Sequence, residues 1–561
     1  MNELYLDAVR RAVGAYSEAK IDEYIADVEA GGIREHGFAR LAANIGTLIA
    51  NGERKDLESR FLRMTDLVCE TAEEAKIRNG KTVGNDFSVR EICTCIEMLE
   101  KAGLMEKETS EWKRLLAGLN PHVAYTKVVT DDDQHPNNWA MFVAASEQAR
   151  RHLGIGGDEA FIDRQIESQL SRFDENGMYR DPHCPMVYDL VTRALSAFIL
   201  SYGYNGKWAE ELRDNLLKSA DLTLMMQSVD GEIPFGGRSN QMLMTEGWYA
   251  ALCEYYISVL PRDDRRRGLF ARNLKAALAF TDYWTSREGF THVKNFYPAD
   301  SGIGCEGYAY FEKYMVTTGS VYTLASLLSD GEDVSEFEKE PYIAATSEDF
   351  HKIFLNNGKI FAEIETNADF NYDVNGIGRV HFKNAPPALV LSVPCPLPGG
   401  RYRTEESDGV PLSICPVTMS VEGPELCSLK GTKYDMSEMR EGREQMFLSF
   451  ETMSPKGNEF FESVLLNEDR FEYTVGGDGK CGAAVPVFLS DGKESSEIIV
   501  SDRKITVSYC GYSAVYETDG IFVDTGLSGA NRNGKYGFFC ALADGGVTLT
   551  IRVRSISDVR N

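Results

Sequence analysis

Asp330-Gly331-Glu332-Asp333-Val334 divides the chain into two halves with different hydrophobic periods. Upstream of it, apolar residues recur every three to four positions, as in Ile45, Ile49, Leu57, Phe61, Met64 and Leu67, which is the spacing of an amphipathic helix. The pattern predicts helices over 2–18, 36–51, 54–78, 86–103, 108–118, 136–153, 157–171, 185–203, 207–227, 239–259, 266–285 and 308–329. Turn chemistry separates them: Ala50-Asn-Gly-Glu53, Leu153-Gly-Ile-Gly-Gly-Asp158 and Tyr202-Gly-Tyr-Asn-Gly-Lys207. About a dozen helices joined in sequence stack as hairpins, and a closed ring of about six hairpins, an (α/α) toroid, leaves no open end. No sequence motif recurs at a fixed period, so the repeat is structural.

Downstream of the divide the period shortens. Strands are predicted at 359–365, 387–393, 445–450, 459–466, 470–475, 505–509, 513–518, 538–542 and 547–553. Gly476-Gly-Asp-Gly479 and Ser490-Asp-Gly-Lys493 read as turns between them. Many short strands with such punctuation imply an antiparallel β-sandwich. The expected organisation is a helical toroid over 1–330, an acidic connector over 331–350 and a β-sandwich over 351–561.

The 561 residues exceed what one hydrophobic core organises, in keeping with two domains. A content of 43% hydrophobic and 26% charged residues is that of an ordinary globular protein, and a net charge of −27 argues against nucleic acid or an anionic membrane as partner. A local cluster of Arg and Lys still permits an acidic oligosaccharide. Met1-Asn-Glu-Leu-Tyr-Leu-Asp7 lacks the basic region and apolar core of a secretory signal, and no apolar run reaches the roughly 20 residues needed to cross a bilayer. Twelve scattered cysteines, with Cys93-Thr-Cys95 the one close pair, suit reduced thiols and a cytoplasmic location. A homo-oligomer is compatible with all of this.

Polar side chains gather at three predicted helix entrances. The first is Asp131-Asp-Asp-Gln-His135-Pro-Asn137-Asn138-Trp139. One polar group suffices to cap a helix, whereas His135, Asn138 and Trp139 together add a titratable group, an amide and an aromatic platform for a sugar ring. The second runs from Tyr179 through His183, Tyr188 and Asp189 to Arg193, with Pro185 suited to a first helical position. A His and a Tyr on a loop before a helix suit proton transfer. Its plainer reading is a capping His, a core Tyr and a surface i,i+4 pair between Asp189 and Arg193.

The third entrance is Asp230-Gly-Glu232-Ile-Pro-Phe-Gly236-Gly237-Arg238-Ser239-Asn240-Gln241. A Gly-Gly turn can bring backbone close to a ligand, and Arg238 with Asn240 and Gln241 can hold a carboxylate. It is no phosphate loop, because the strand and the Gly-Lys-Ser/Thr ending are absent. Later aromatics include Tyr310 and Tyr314, which serve equally as substrate contacts or core. In the β half, Arg379, His381 and Lys383 alternate onto one strand face, a basic surface or a solvated one. No metal signature and no dinucleotide motif stands out, so no cofactor is expected.

On these residues the chain resembles the heparinase II/III-like and alginate-lyase-like polysaccharide lyases, which join an (α/α) toroid to a β-sandwich and cleave uronic-acid linkages by β-elimination. The resemblance pairs Asn138 and His135 with the family's Asn/His at one entrance, His183 and Tyr188 with its His/Tyr at a later one, and His381 with its sandwich histidine. It implies Tyr188 as base or acid partnered by His183 and His135, with Arg238, Asn138 and Gln241 neutralising the uronate carboxylate. Trp139, Arg193, Asn240, Tyr310, Tyr314 and His381 are then substrate contacts. Lack of a secretory signal departs from the family and favours imported oligosaccharides. The same toroid also serves uronic-acid hydrolases, which need paired carboxylates. Candidates are Asp189, Glu232 and Glu246, with Glu147 and Glu312 behind them. A non-catalytic sugar-binding protein is the third alternative.

Overall fold

Two kinds of helix alternate along the first half of the chain. One kind is buried on nearly every face: Gly37–Ala50, Asn85–Lys101, Asn138–His152, Met186–Ser201, Met244–Val259 and Phe311–Leu328. The other buries a single stripe. Glu159–Leu170, for example, hides Phe161, Ile162, Gln165, Ile166 and Gln169, which share one helix face. A helix apolar all round must be surrounded, and each of the first kind packs on the next in sequence until Phe311–Leu328 closes back on Gly37–Ala50. The second kind lies outside: Glu58–Arg78, Glu159–Leu170, Ala209–Lys218 and Arg266–Thr285 each pack on the inner helix before them. This is a closed toroid, drawn from a computed structural model that describes residues 1, 3–78, 85–125, 137–420, 423–442 and 445–556.

Close approach of inner helices depends on missing side chains. A Cβ on Gly247 would sit 2.2 Å from Val321 Cγ2, and one on Gly319 would sit 2.7 Å from Asn44 Nδ2. Because each inner helix is followed by a returning outer one, the inner helices run the same way. Their N-termini therefore share one end of the ring.

The second half builds two antiparallel sheets. One has four strands in chain order, Tyr342–Ala345, Lys352–Asn356, Ile360–Glu365 and Gly376–Phe382. The other has eleven among the described residues and is centred on the long pair Phe471–Ser490 and Lys535–Ser555. Ile353, Leu355, Ile364 and Val380 of the small sheet share one core with Leu448, Val464, Tyr473 and Leu549 of the large one, which makes a sandwich.

The structure divides the chain differently from the sequence reading. One compact unit is 1–221, 242–285 and 309–336; the other is 222–241, 286–308 and 337–561. Two excursions from the helical half thus fold with the sandwich, and the expected 331–350 connector already contains a strand, Tyr342–Ala345, paired to Lys352–Asn356. The 239–259 helix begins only at Met244, since Ser239 and Gln241 adopt left-handed backbone (φ 57° and 62°). Glu18–Gly31 was not foreseen as a helix, because it buries only Ile21 and Val28 and so carries almost no periodic signal. Residues 387–393 form no extended strand and share only the Val380–Leu391 bridge. Gly476-Gly-Asp-Gly479 is a bulge within one long strand rather than a turn, answered by Gly545 and Gly546 on its partner.

Candidate active site

At the shared end of the ring, side chains from successive helix entrances touch. Trp139 meets Phe87 edge-on at 5.3 Å between ring centroids. Phe87 in turn lies 4.8 Å from the His36 ring, and His36 lies 6.5 Å from Tyr314. Asn138, the first residue of its helix, donates both its backbone N–H (3.2 Å) and its side-chain Nδ2 (2.9 Å) to Asp181 Oδ1. The two foremost sequence clusters are joined by that contact. His135 lies outside the described residues.

The loop from Tyr179 to Pro185 is fixed from below. Asp189 accepts the Tyr179 N–H at 2.7 Å and pairs with Arg193, whose Nε lies 2.8 Å from Asp189 Oδ1. Arg193 also donates to Ser219 Oγ at 3.3 Å. Both members of this pair are fully buried, so the expectation of a surface pair, or of Arg193 as a substrate contact, is corrected. Burial of a charge is tolerated only with such a partner, and this partnership holds the loop.

Above it, His183 and Cys184 take consecutive left-handed conformations (φ 67° and 45°), which L-residues adopt at a cost. The result is an exposed His183 and a half-buried Tyr188 in the first helical turn, with half-buried Trp139 at the neighbouring entrance. Asn138 differs from expectation: its amide donor is committed to Asp181, and its Oδ1 is buried without a hydrogen-bond partner. It therefore acts as a positioning group for the loop rather than as a donor to a carboxylate.

Glu246 lies in the first turn of Met244–Val259, fully buried, accepting from Thr245 Oγ1 at 2.9 Å. Glu147 is likewise interior, paired with Arg150 at 2.7 Å and bound by Tyr125. Glu312 is partly exposed and pairs with Lys20 at 2.7 Å. Tyr314 is buried, while Tyr310 is exposed.

The third sequence cluster belongs to the sandwich unit, and most of it is turned inward. Arg379 pairs with Glu232 (3.1 Å) and Glu363 (3.2 Å) and donates to the carbonyls of Ile233 and Ser392. Lys294 approaches Glu232 at 3.8 Å. With its amide nitrogen facing Glu232 at 2.9 Å, Gln241 accepts from Arg379 at 3.2 Å. Asn240 donates to the Pro234 carbonyl at 3.0 Å. Even the Gly-Gly turn faces protein, since Gly237 N–H donates to Asp373 at 2.6 Å, and burial pushes that carboxyl up to about 6.

His381 is buried, with Nδ1 3.2 Å from Ser228 Oγ; Nε2 lies 3.3 Å from Asp230 Oδ2 but makes no hydrogen bond. Arg379 and His381 do share a strand face, but it is an interior one; Lys383 lies beyond the strand end and is exposed. Glu232, Asn240, Gln241 and His381 are thus building elements of the sandwich unit, contrary to the ligand roles expected of them. Arg238 keeps partial exposure and acts electrostatically on Tyr372.

The sequence reading singled out neither His36 nor Phe87 and gave no role to Asp181 or Lys313. His36 is held neutral, its pKa pushed well down by burial and then by the charges of Arg40 and Lys313. The ammonium of Lys313 lies 5.7 Å and 5.8 Å from the Tyr310 and Tyr314 ring centroids. Arg34-Glu35-His36 before a helix was the available signal, of the same make-up as the two entrances that were singled out. Among the described residues no group of three or more His, Cys, Asp or Glu side chains is placed to hold a metal ion.

No protein-family model matches this chain, and no curated protein matches it in sequence. Solved structures of similar layout include polysaccharide lyases. The chondroitin AC lyase of Streptomyces coelicolor A3, in complex with chondroitin sulphate, is 11% identical with a TM-score of 0.48, covering 99% of this chain and 84% of that one. Heparinase III is 10% identical with a TM-score of 0.45 over 88% and 74%. The heparan sulfate lyase of Pedobacter heparinus is 10% identical with a TM-score of 0.38 over 96% and 91%. The toroid and sandwich themselves, rather than these distant likenesses, carry the fold assignment.

Proposed function

We propose that the helix-entrance end of the toroid is the active site of a lyase that cleaves uronic-acid-containing oligosaccharides by β-elimination. The supporting observation is a contrast in access. His183 is exposed on a braced, strained loop and Tyr188 is half-buried in the helical turn that follows, whereas Asp189, Glu232 and Glu246, the carboxylates a hydrolase would need, are buried among protein partners. In the proposed reaction Tyr188 removes the C5 proton, the electron pair forms the C4–C5 double bond, and the C4–O bond breaks. The leaving oxygen takes a proton, for which His183, exposed in the preceding loop, is the candidate donor. The C5 proton is only weakly acidic, so the adjacent carboxylate must be stabilised as its charge grows. Helix N-termini carry partial positive charge, and several point to this end, with Lys313 among them.

The test is incubation of the purified protein with uronic-acid oligosaccharides while following ultraviolet absorbance and product mass. Products carrying a new unsaturated chromophore, with no water added, are expected. Products heavier by one water and without that chromophore would replace the lyase with a hydrolase. Sugar binding with no product at all would leave a binding protein.

A further inference from the structure

Within the sandwich unit, the segment from Phe235 to Ser239 is held by its backbone rather than by its side chains. Phe235 N–H donates to Glu363 at 3.3 Å, Gly237 N–H to Asp373 at 2.6 Å and Ser239 N–H to Glu306 at 2.8 Å. Donors two residues apart thus meet carboxylates from three separated stretches of chain. Gly236 and Gly237 (φ 137° and 74°) let the backbone turn here, whereas Ser239 and Gln241 take left-handed conformations at a cost (φ 57° and 62°). A segment under strain keeps its place only where contacts over-determine it. The Phe235 ring supplies a further contact, with the Lys352 ammonium 3.3 Å from its centroid. Gly378 makes room for that ring, since a Cβ there would lie 2.3 Å from it.

The carboxylates that grip the segment belong to a buried cluster whose charges do not balance. Its acids are Glu232, Glu306, Glu363, Glu365 and Asp373; its cations are Lys294, Lys352, Arg379 and Arg532. No member is more than 7% exposed. Arg532 pairs with Glu306 at 2.7 Å, Lys352 with Glu365 at 3.0 Å, and Arg379 is shared between Glu232 at 3.1 Å and Glu363 at 3.2 Å. With every acid ionised, one negative charge is left over in a dry interior, where an uncompensated charge is strongly disfavoured. A single proton removes it.

Two of the three gripping acids are placed to take that proton. Burial pushes Glu363 up to about 7, against the pull of Lys352, Arg379 and the Phe235 N–H. It pushes Asp373 up to about 6, against Lys352, the Gly237 N–H and Arg532, with Glu365 adding to the rise. The Tyr402 ring, 3.8 Å from the Arg532 guanidinium, brings its hydroxyl within electrostatic reach of Asp373 as well. A protonated carboxyl still accepts an N–H through its carbonyl oxygen, so the grip survives protonation. We propose that Glu363 and Asp373 form a proton-dependent clamp on Phe235–Ser239, which grips the segment while the pair holds a proton and loosens it when both ionise. The sign follows from linkage. Were the segment to lift and admit water, both carboxyls would return to the ordinary range near about 4. The gripped state therefore binds protons more tightly, so the grip is full at acid pH and is lost as pH rises through about 6 and about 7. Arg238 rides on this segment, so the clamp governs how firmly its backbone is held, whatever reaction the protein catalyses.

The experiment is hydrogen exchange of the full-length protein, read by mass spectrometry on peptides covering 232–241 and corrected for the intrinsic pH dependence of amide exchange. Protection of this segment is expected to fall about tenfold or more between about pH 5 and pH 8, while the Tyr512–Thr518 strand of the same unit keeps its protection. Glu363→Gln and Asp373→Asn, singly and together, retain an acceptor oxygen without a titrating charge. They should hold the segment at its acid-pH protection throughout, with circular dichroism confirming the fold. Should a variant fail to fold, infrared spectroscopy of wild type reads the same proton: a carboxylic-acid carbonyl band at the lower pH is expected to disappear at the higher. Protection of 232–241 that is flat with pH in wild type overturns the clamp. So does a pH dependence unchanged in the double variant, or the absence of any protonated carboxyl at the lower pH.

Discussion

Two polar clusters in this chain look alike as sequence and behave oppositely as structure. The Tyr179–Arg193 loop and the Asp230–Gln241 segment with its Arg379–His381 strand both mix acids, His, Arg and turn-forming residues. In the first, the buried charges form a foundation, and the groups proposed for the chemistry, exposed His183 and half-buried Tyr188, stand above it. In the second, Glu232, Asn240, Gln241, Lys294, Arg379 and His381 are each no more than 2% exposed; the first five engage one another or backbone, and His381 meets the Ser228 side chain. A list of residue types cannot separate the two; desolvation and partnership do.

The largest effect expected from this contrast is on turnover. Tyr188→Phe removes one oxygen from a half-buried ring, so the fold should persist while elimination falls by about 10²–10⁴-fold, the usual contribution of a general acid or base. Near-normal rates in this variant, measured on a substrate the wild type cleaves, would withdraw Tyr188 from the chemistry.

The inward cluster should respond in stability instead. Arg379→Met leaves Glu232 and Glu363 buried without their shared guanidinium and should destabilise the sandwich unit by about 3–5 kcal/mol. Denaturant unfolding measures this. A variant that unfolds like wild type would mean that water or Lys352, which lies 3.3 Å from Glu363, already neutralises the pair.

How much of this was legible from sequence follows from the same physics. The inner helices were readable, with Met186–Ser201 and Asn138–His152 found to within a few residues, because periodic apolar positions are a local signal. The ring could be guessed from helix number alone. Glu18–Gly31 escaped because it rests on two buried apolar side chains, and the 239–243 segment was misread because a left-handed residue need not be Gly. Site residues were harder still. His183 and Tyr188 were singled out because Pro185 marks a helix start, but the sequence could not say that Asp189 and Arg193 lie beneath them while Glu232 is enclosed by Arg379 and Lys294. The enclosure of Glu232 depends on residues about 60 to 150 positions away, whose arrangement no local pattern encodes.

The smallest expected effect tests the strained loop directly. His183 and Cys184 both sit at positive φ, where an L-residue costs roughly 1–2 kcal/mol and Gly is at ease. Gly also loses more backbone entropy on folding, roughly 0.5–1 kcal/mol relative to Ala, which offsets part of the relief. His183→Gly should therefore leave stability unchanged or raised by up to about 1 kcal/mol, while activity falls with loss of the imidazole. Cys184→Gly offers the same backbone relief without touching His183, and should keep activity unless the strain itself aims the loop. If His183→Gly is clearly destabilising, the imidazole is bracing the loop as Asp189 does, and the distinction between an outward functional cluster and an inward structural one loses its main support. If instead Cys184→Gly stabilises the fold but slows turnover, the left-handed pair is part of the site.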